Sequence, residues 1–198
     1  MTSEAAFQSL PIRKSTGDLL PCVIVDTREQ EPLDFRRLPS RPGTLATGDY
    51  SIAGLENDVA IERKSIADLV GSLTSGRARF QRELERMRSY NFARLLIVGT
   101  EADIAARRYR SNASPVSIMH SLYAIESRGV PVVFSATPYE AALLLERWVW
   151  WRARAVMQAS NELIKGCTQT AQHVAPIRTT CEHANNAEAA ISREKTTL

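Results

Sequence analysis

Short continuous apolar runs alternate with amphipathic stretches along most of the chain. CVIVD, Cys22 to Asp26, is a run of the length and composition of a buried strand. The stretch through Pro32, Pro39, Pro42 and Gly43 reads as a loop. TLATGDYSIAG and NDVAIERK then predict a β-hairpin connected through Gly54, Leu55, Glu56 and Asn57. After Lys64 the period becomes helical, and Ser65 to Asp68 has the spacing of a capping box. Gly71 and Gly76 flank a break, after which RARFQRELERMRSY places Phe80, Leu84 and Met87 on one face with arginines around the others. RLLIVG, Arg94 to Gly99, and VPVVF, Val130 to Phe134, are further buried strands. Between them Ser114-Pro115 starts a helix that Gly129 stops, and His120 is a packed residue within it. A second capping box, Thr137 to Glu140, opens a long helix. In that helix Leu145, Trp148 and Trp151 are assigned to the core, and Trp150 to a dimer contact.

Strands and helices alternating around a central hairpin predict an α/β fold, a mixed central sheet flanked by helices. Residues 1–20 carry no strong period and read as a flexible lead-in. Residues 21–160 form the domain, and from Asn161 onward the pattern fades into Thr, Ala, Asn and Gln, which predicts a disordered tail over 161–198.

Composition narrows this picture only modestly. A chain of 198 residues suits one domain with tails, and 44% hydrophobic with 24% charged residues is ordinary for a soluble globular protein. A net charge of +3 does not by itself argue for nucleic acid, but the distribution does more. Arg77, Arg79, Arg82, Arg86 and Arg88 crowd one segment and Arg107, Arg108 and Arg110 another, which makes them candidate phosphate contacts. The competing reading of the first group is a solvated helix face. Cys22, Cys167 and Cys181 are an odd set and suit a reducing compartment rather than a disulfide framework. Cys167, His173, Cys181 and His183 lack the paired spacing of a compact zinc fold. The first residues show no signal-peptide pattern and no apolar run reaches membrane-spanning length, so a cytoplasmic protein is expected.

The candidate chemistry lies in the hairpin. A loop of Gly54 to Asn57 sets an antiparallel register that pairs Tyr50 with Ile61 and Asp49 with Glu62. Tyr50, Ile52, Val59 and Ile61 then form an apolar face; Asp49, Glu62 and Lys64 share the other, and Arg63 points away from them. Two opposed carboxylates repel unless a proton or cation lies between them. Mg²⁺, which takes one or two carboxylates and completes its shell with water and phosphate, would resolve the conflict. Asp26, at the end of an adjacent strand, is a further candidate ligand, direct or through water. Strand pattern alone leaves a plainer alternative open, a surface hairpin with a Glu62–Lys64 same-face pair.

VDTRE at Val25 to Glu29, then TGDYSI, then IERKSIADLVGSLTSGR together resemble the nuclease domain of the XPF family of structure-specific DNA endonucleases. The hallmark of that family is GD, a spacer, then ERK and, after three more residues, D; here these are Gly48-Asp49, Glu62-Arg63-Lys64 and Asp68. The similarity runs from about Cys22 to Trp151. It implies a restriction-endonuclease-like core, Mg²⁺ or Mn²⁺ as cofactor, and hydrolysis of a DNA phosphodiester near a branch, flap or strand junction in repair or recombination. It carries over Asp49 and Glu62 as metal ligands, Asp26 as an acidic site residue, Lys64 as the group positioning water or phosphate, and Arg63 as functionally required. Asp68 matches as well, although helix capping accounts for it. Arg28, next to the acids, binds phosphate or neutralises them, and with Arg77, Arg79 and Arg82 makes up the candidate DNA-binding set. Glu29 supports the site through Arg28 or Arg63, or is a solvated loop carboxylate.

Nothing after Ser160 resembles the tandem helix-hairpin-helix module of many XPF proteins. The expectation is therefore a standalone nuclease domain working as a homodimer or with a separate DNA-binding subunit, at the nucleoid in a prokaryote or in the nucleus of a eukaryote. The rival reading is a noncatalytic DNA-binding or scaffold subunit that keeps the fold.

Overall fold

Strands β1 (Val23–Asp26), β2 (Ser40–Gly43), β3 (Tyr50–Ile52), β4 (Val59–Ser65), β5 (Phe92–Val98) and β6 (Val132–Ser135) form one sheet in the order β2-β1-β3-β4-β5-β6. They are seen in a computed structural model that describes residues 20–171. The centre, β1-β3-β4, is antiparallel, whereas β2 joins β1, β5 joins β4 and β6 joins β5 in parallel. Helices α1 (Ile66–Leu73), α2 (Arg77–Met87), α3 (Glu101–Ala105), α4 (Pro115–Glu126) and α5 (Pro138–Ala171) complete the expected mixed sheet flanked by helices.

Side chains alternate along the strands, so the sheet carries a separate core on each face. On one, Tyr50, Ile52, Val59, Ile61 and Leu96 pack with Ala142, Leu145, Val149 and Trp150 of α5. On the other, Ala60, Leu95 and Ile97 pack with Leu69 of α1, Phe80, Leu84 and Met87 of α2, and Ile118 and Leu122 of α4. The candidate acids lie on this second face.

Helix starts follow the local signals closely. Ser65 Oγ accepts from the Asp68 amide at 3.1 Å and donates to the Asp68 carboxylate at 2.6 Å, while Ser114 caps α4 with Pro115 in its first turn. Gly129 takes φ 92° after α4, a conformation that suits glycine at a helix stop.

Five features depart from the pattern-based expectation, the first being His120, expected as a packed residue of α4 and found exposed. Ser40–Gly43, expected as loop, is the edge strand β2, where Pro42 costs little because an edge strand needs only one side of its backbone paired. The short helix α3 was not anticipated, although Thr100 and Asp103 form a reciprocal capping box there. Trp150 is 4% exposed and Trp151 64% exposed, the reverse of the expected assignment. Steps of three from Leu145 to Trp148 to Trp151 drift off a 3.6-residue period, whereas Ala142, Leu145, Val149 and Ala153 follow it and take Trp150 with them. Finally, α5 continues to Ala171, past Asn161 where the apolar period fades. Residues 162–171 include no proline, so the backbone ladder is not interrupted there.

The chain divides into two units, Met1–Met157 and Gln158–Leu198. The sheet and α1 to α4 belong to the first. Residues 158–171, the described part of the second, are helical. The expected lead-in over 1–19, and His173, Cys181 and His183 in the tail, lie outside the described residues.

Candidate active site

The β3–β4 register brings the candidate acids together. Tyr50 pairs with Ile61, and the Asp49 amide donates to the Ile61 carbonyl at 2.8 Å, which sets Asp49 against the β4 backbone one residue before Glu62. Gly48 makes this approach feasible. Its φ is 82°, and a Cβ there would lie 3.0 Å from the Ile61 carbonyl oxygen. The glycine of the GD pair is therefore required by the backbone, both for its left-handed conformation and for close contact with the next strand.

Glu62 is 4% exposed and its Oε1 accepts from Lys64 Nζ at 2.6 Å. The same-face pair foreseen as the plainer alternative is thus present, buried at the base of a cleft rather than on an exposed hairpin. Lys64 also lies 4.0 Å from a carboxylate oxygen of Glu83 on α2, and its ammonium sits 4.9 Å from the centroid of the Phe80 ring. Burial pushes the Glu62 carboxyl up to about 8, and the charges of Asp49 and Glu83 add to that push against the opposing pull of Lys64. Burial likewise raises Asp49 to about 6, against the stabilising hydrogen bond from the Arg63 amide. Lys64 is raised above its ordinary value: burial works against its charge, but Glu62, Glu83 and Asp49 outweigh it. All three directions have one source, a surplus of carboxylates around a single ammonium in a poorly solvated place.

Arg63 points to the opposite face, as the strand alternation requires, and still serves the site. Its guanidinium forms two hydrogen bonds to Glu29, at 3.0 and 3.2 Å, with the Arg63 and Glu29 side chains 11% and 7% exposed. Its backbone amide donates to Asp49 Oδ2 at 2.8 Å. The side chain anchors the strand from behind while the main chain aims the aspartate in front. Of the options for Glu29, the structure selects the pairing with Arg63.

Asp26 is 3% exposed and heavily committed. Oδ1 accepts from the Arg28 amide at 2.9 Å and from Nε at 2.7 Å; Oδ2 accepts from the Leu45 amide at 2.7 Å and Arg28 Nη2 at 3.1 Å. Burial opposes its charge, yet these bonds hold the carboxyl below its ordinary value. Four donors fill the roughly four lone-pair sites of a carboxylate, so direct coordination by Asp26 would require Arg28 to move. The Asp26 amide donates to the Asp49 carbonyl at 2.8 Å, which ties β1 to the loop that carries Asp49.

These groups open into a cleft of about 560 Å³ lined by Asp26, Arg28, Asp49, Glu62, Lys64 and Asp68, with Arg79, Glu83 and Arg86 from α2. Of the arginines expected to bind DNA, Arg28 and Arg79 reach it. Arg77 instead lines a small cavity with Ser121 and Arg128, and Arg82 faces a surface groove with Arg86 and Arg128. Glu83 is not anticipated as a site residue from the sequence, and Arg86, a candidate phosphate contact there, reaches the cleft as well. Glu83 had a signal in the sequence: it lies three residues after Phe80 and four before Met87, an acid in the phase of the apolar stripe. Arg86 donates to Thr47 Oγ1 at 3.2 Å, a contact with no sequence signal because the partner is in a distant loop.

The donor set fits a hard divalent ion. Asp49, at the end of the loop into β3, and Glu62 on β4 offer carboxylate oxygens, and both carry the raised proton affinity that an ion would relieve. Among the described residues no group of three or more His, Cys, Asp or Glu side chains is placed to enclose an ion. An ion here would therefore owe much of its shell to water and phosphate, as Mg²⁺ or Mn²⁺ accepts and a structural zinc does not.

The ERCC4 domain matches residues 25–147 of the chain. The chain is 31% identical over 137 residues to the DNA repair endonuclease XPF of Cricetulus griseus and 31% identical over 140 residues to that of Drosophila melanogaster. Each match takes in 64% of this chain but only 15% and 14% of the respective relatives. Among solved structures, XPF from Aeropyrum pernix superposes with a TM-score of 0.56 at 24% identity, covering 68% of this chain and 62% of that one. XPF from Aeropyrum pernix in complex with DNA gives 0.55 at 24% identity, covering 68% and 66%. At that identity the structural likeness shows the fold, a restriction-endonuclease-like mixed sheet with flanking helices.

Proposed function

The chain belongs to the ERCC4 domain family, and from that premise we propose that it is a metal-dependent DNA endonuclease acting on branched or flap-like DNA in repair or recombination. The observation that carries the reading is the convergence of Asp49, Glu62 and Lys64 on one face of the β3–β4 hairpin, in a cleft edged by Arg28, Arg79 and Arg86. A plain surface ion pair would account for neither the burial of Glu62 nor the Arg63 amide that aims Asp49 beside it.

Asp49 and Glu62 would hold Mg²⁺ or Mn²⁺, with Asp26 acting through water or through its control of Arg28. The bound ion supplies Lewis-acid chemistry, acidifying water and neutralising charge on the phosphate. Lys64 donates hydrogen bonds to the attacking water or to a phosphate oxygen and so favours the crowded anionic transition state. Arg79, Arg86 and Arg28 grip flanking phosphates without reading sequence. Attack by water on phosphorus with departure of the 3′ oxygen leaves a 5′-phosphate and a 3′-hydroxyl. Preference for a branch, and any homodimer or DNA-binding partner subunit, belong to the same proposal. No helix among the described residues is long and apolar enough to cross a membrane.

The test is cleavage of labelled flap, splayed-arm, nicked and linear duplex DNA with Mg²⁺, Mn²⁺ or EDTA, alongside Asp49→Ala and Lys64→Ala. We expect metal-dependent cutting by the native chain and its loss in both variants, with DNA binding retained. Binding without cutting on every substrate would replace this reading with the noncatalytic subunit.

A further inference from the structure

Glu83 is the one carboxylate near the cleft centre that neither the motif nor the proposed chemistry uses. It stands on α2 among the buried side chains Phe80, Leu84 and Met87, so its backbone is fixed by the core. Among the described residues its ion pair is with Lys64, at 4.0 Å, beyond hydrogen-bond length but within a small movement of it. Lys64 meanwhile spends its hydrogen bond on Glu62 at 2.6 Å.

That arrangement conflicts with loading the site. A divalent cation on Glu62 would share a carboxylate with an ammonium, and the two positive charges would repel in a place where water screens poorly. The ammonium cannot retreat freely into solvent, because the Lys64 side chain is 12% exposed and lies against Phe80. Its flexible stem can instead carry it the short distance to Glu83.

We propose that Glu83 is a positioning residue that receives the Lys64 ammonium when Glu62 turns to a divalent cation. The inference rests on the metal-dependent reading of the site. Lys64 thereby exchanges one carboxylate for another, stays charged, and remains in the cleft facing the phosphate. Glu83 needs no contact with the ion for this role.

Calorimetric titration of the metal-free full chain with MnCl₂ tests it, using the native protein, Glu83→Gln, Lys64→Met and the double variant. With Lys64 present, Glu83→Gln should weaken Mn²⁺ binding roughly tenfold, the size expected for coupled neighbouring charges. In the Lys64→Met background no displaced ammonium exists, and the same change should weaken binding less than about twofold. Equal weakening in both backgrounds would show Glu83 acting on the ion itself, and no weakening in either would reduce it to a structural residue; both results overturn the proposal. Thermal melts of each variant, with Glu83→Asp as a charge-preserving control that should keep near-native affinity, separate misfolding from lost positioning. Native protein that binds no Mn²⁺ with or without duplex DNA would remove the metal-dependent reading and this inference with it. Mn²⁺ binding without cleavage would leave the cycle decisive for Glu83 while counting against the endonuclease.

Discussion

The three letters ERK divide their labour by strand alternation. Glu62 and Lys64 face the cleft, and Arg63 faces the other way, where Glu29 fixes it and its amide reaches Asp49. A residue can thus orient a cleft side chain through its main chain while its own side chain points away. The buried acids also give the metal-free protein a definite pH dependence. Glu62 moves from an ordinary 4.5 to about 8 and Asp49 from 3.8 to about 6, so the folded state holds protons that the unfolded chain releases at lower pH. Stability therefore falls as pH rises through the window from 4.5 to about 8, most of it attributable to Glu62. We expect the melting temperature of metal-free protein to decline across that window and the decline to flatten in Glu62→Gln. Added Mn²⁺, which binds the ionised forms, should stabilise more at the upper end than at the lower. A melting temperature that rises through the window would contradict the burial of Glu62 as the dominant influence.

At the scale of elements, the hairpin and α2 each do two things at once. The turn into β3 must deliver Asp49 while passing close to β4, which confines position 48 to glycine. Gly48→Ala should cost about 1–3 kcal/mol in chemical denaturation, the range for strained backbone, and should also abolish cleavage by displacing Asp49. Native-like activity in that variant would mean the turn relaxes without moving the acid. Helix α2 buries Phe80, Leu84 and Met87 against the sheet, and its phase sends Arg79 and Arg86 to the cleft while Arg82 faces elsewhere. Arg79→Ala and Arg86→Ala should each lower the salt dependence of DNA binding by about one unit of slope, while Arg82→Ala should leave it nearly unchanged. An equal effect of all three would point to a diffuse basic helix rather than a defined track.

The molecule as a whole stands on two cores separated by the sheet, with the site built over only one of them. The α5 core is remote from the acids on the far face and carries large residues such as Trp150, Val149 and Tyr50. Trp150→Ala should therefore destabilise by about 3–5 kcal/mol, whereas Trp151→Ala, on an exposed position, should change stability by about 0.5 kcal/mol or less. Equal losses would show that α5 is rotated from the phase described. A buried acid supports this side as well: Glu146, 0% exposed, accepts from the amides of Arg36, Arg37 and Leu38 at 2.7 to 3.1 Å. Those bonds pin the segment after Glu29, and Leu33 within it donates to the Tyr50 hydroxyl at 3.0 Å. The back of the sheet therefore holds the Arg63 anchor in place, which links global packing to the aim of Asp49.

Local rules within the sequence were sufficient for much of this. The register that pairs Tyr50 with Ile61, and so brings Asp49 alongside β4, follows from a short loop and period-two alternation, and the caps at Ser65 and Ser114 from side chains that bond their own helix. These interactions join residues close along the chain, so the one-dimensional pattern contains both partners. What required tertiary structure joins residues far apart: Arg86 with Thr47, Arg63 with Glu29, Lys64 with Glu83, and Glu146 with the amides of Arg36 to Leu38. The faces of α5 and the division of the α2 arginines also depended on it, because helical phase decides exposure only once the packing surface is fixed. The chain thus specified its motif and most of its elements by itself, though not edge strand β2 or the short α3, while the packing of α2 and the β1–β2 segment against the hairpin decided which charges meet, since electrostatic environment is a property of three-dimensional neighbours.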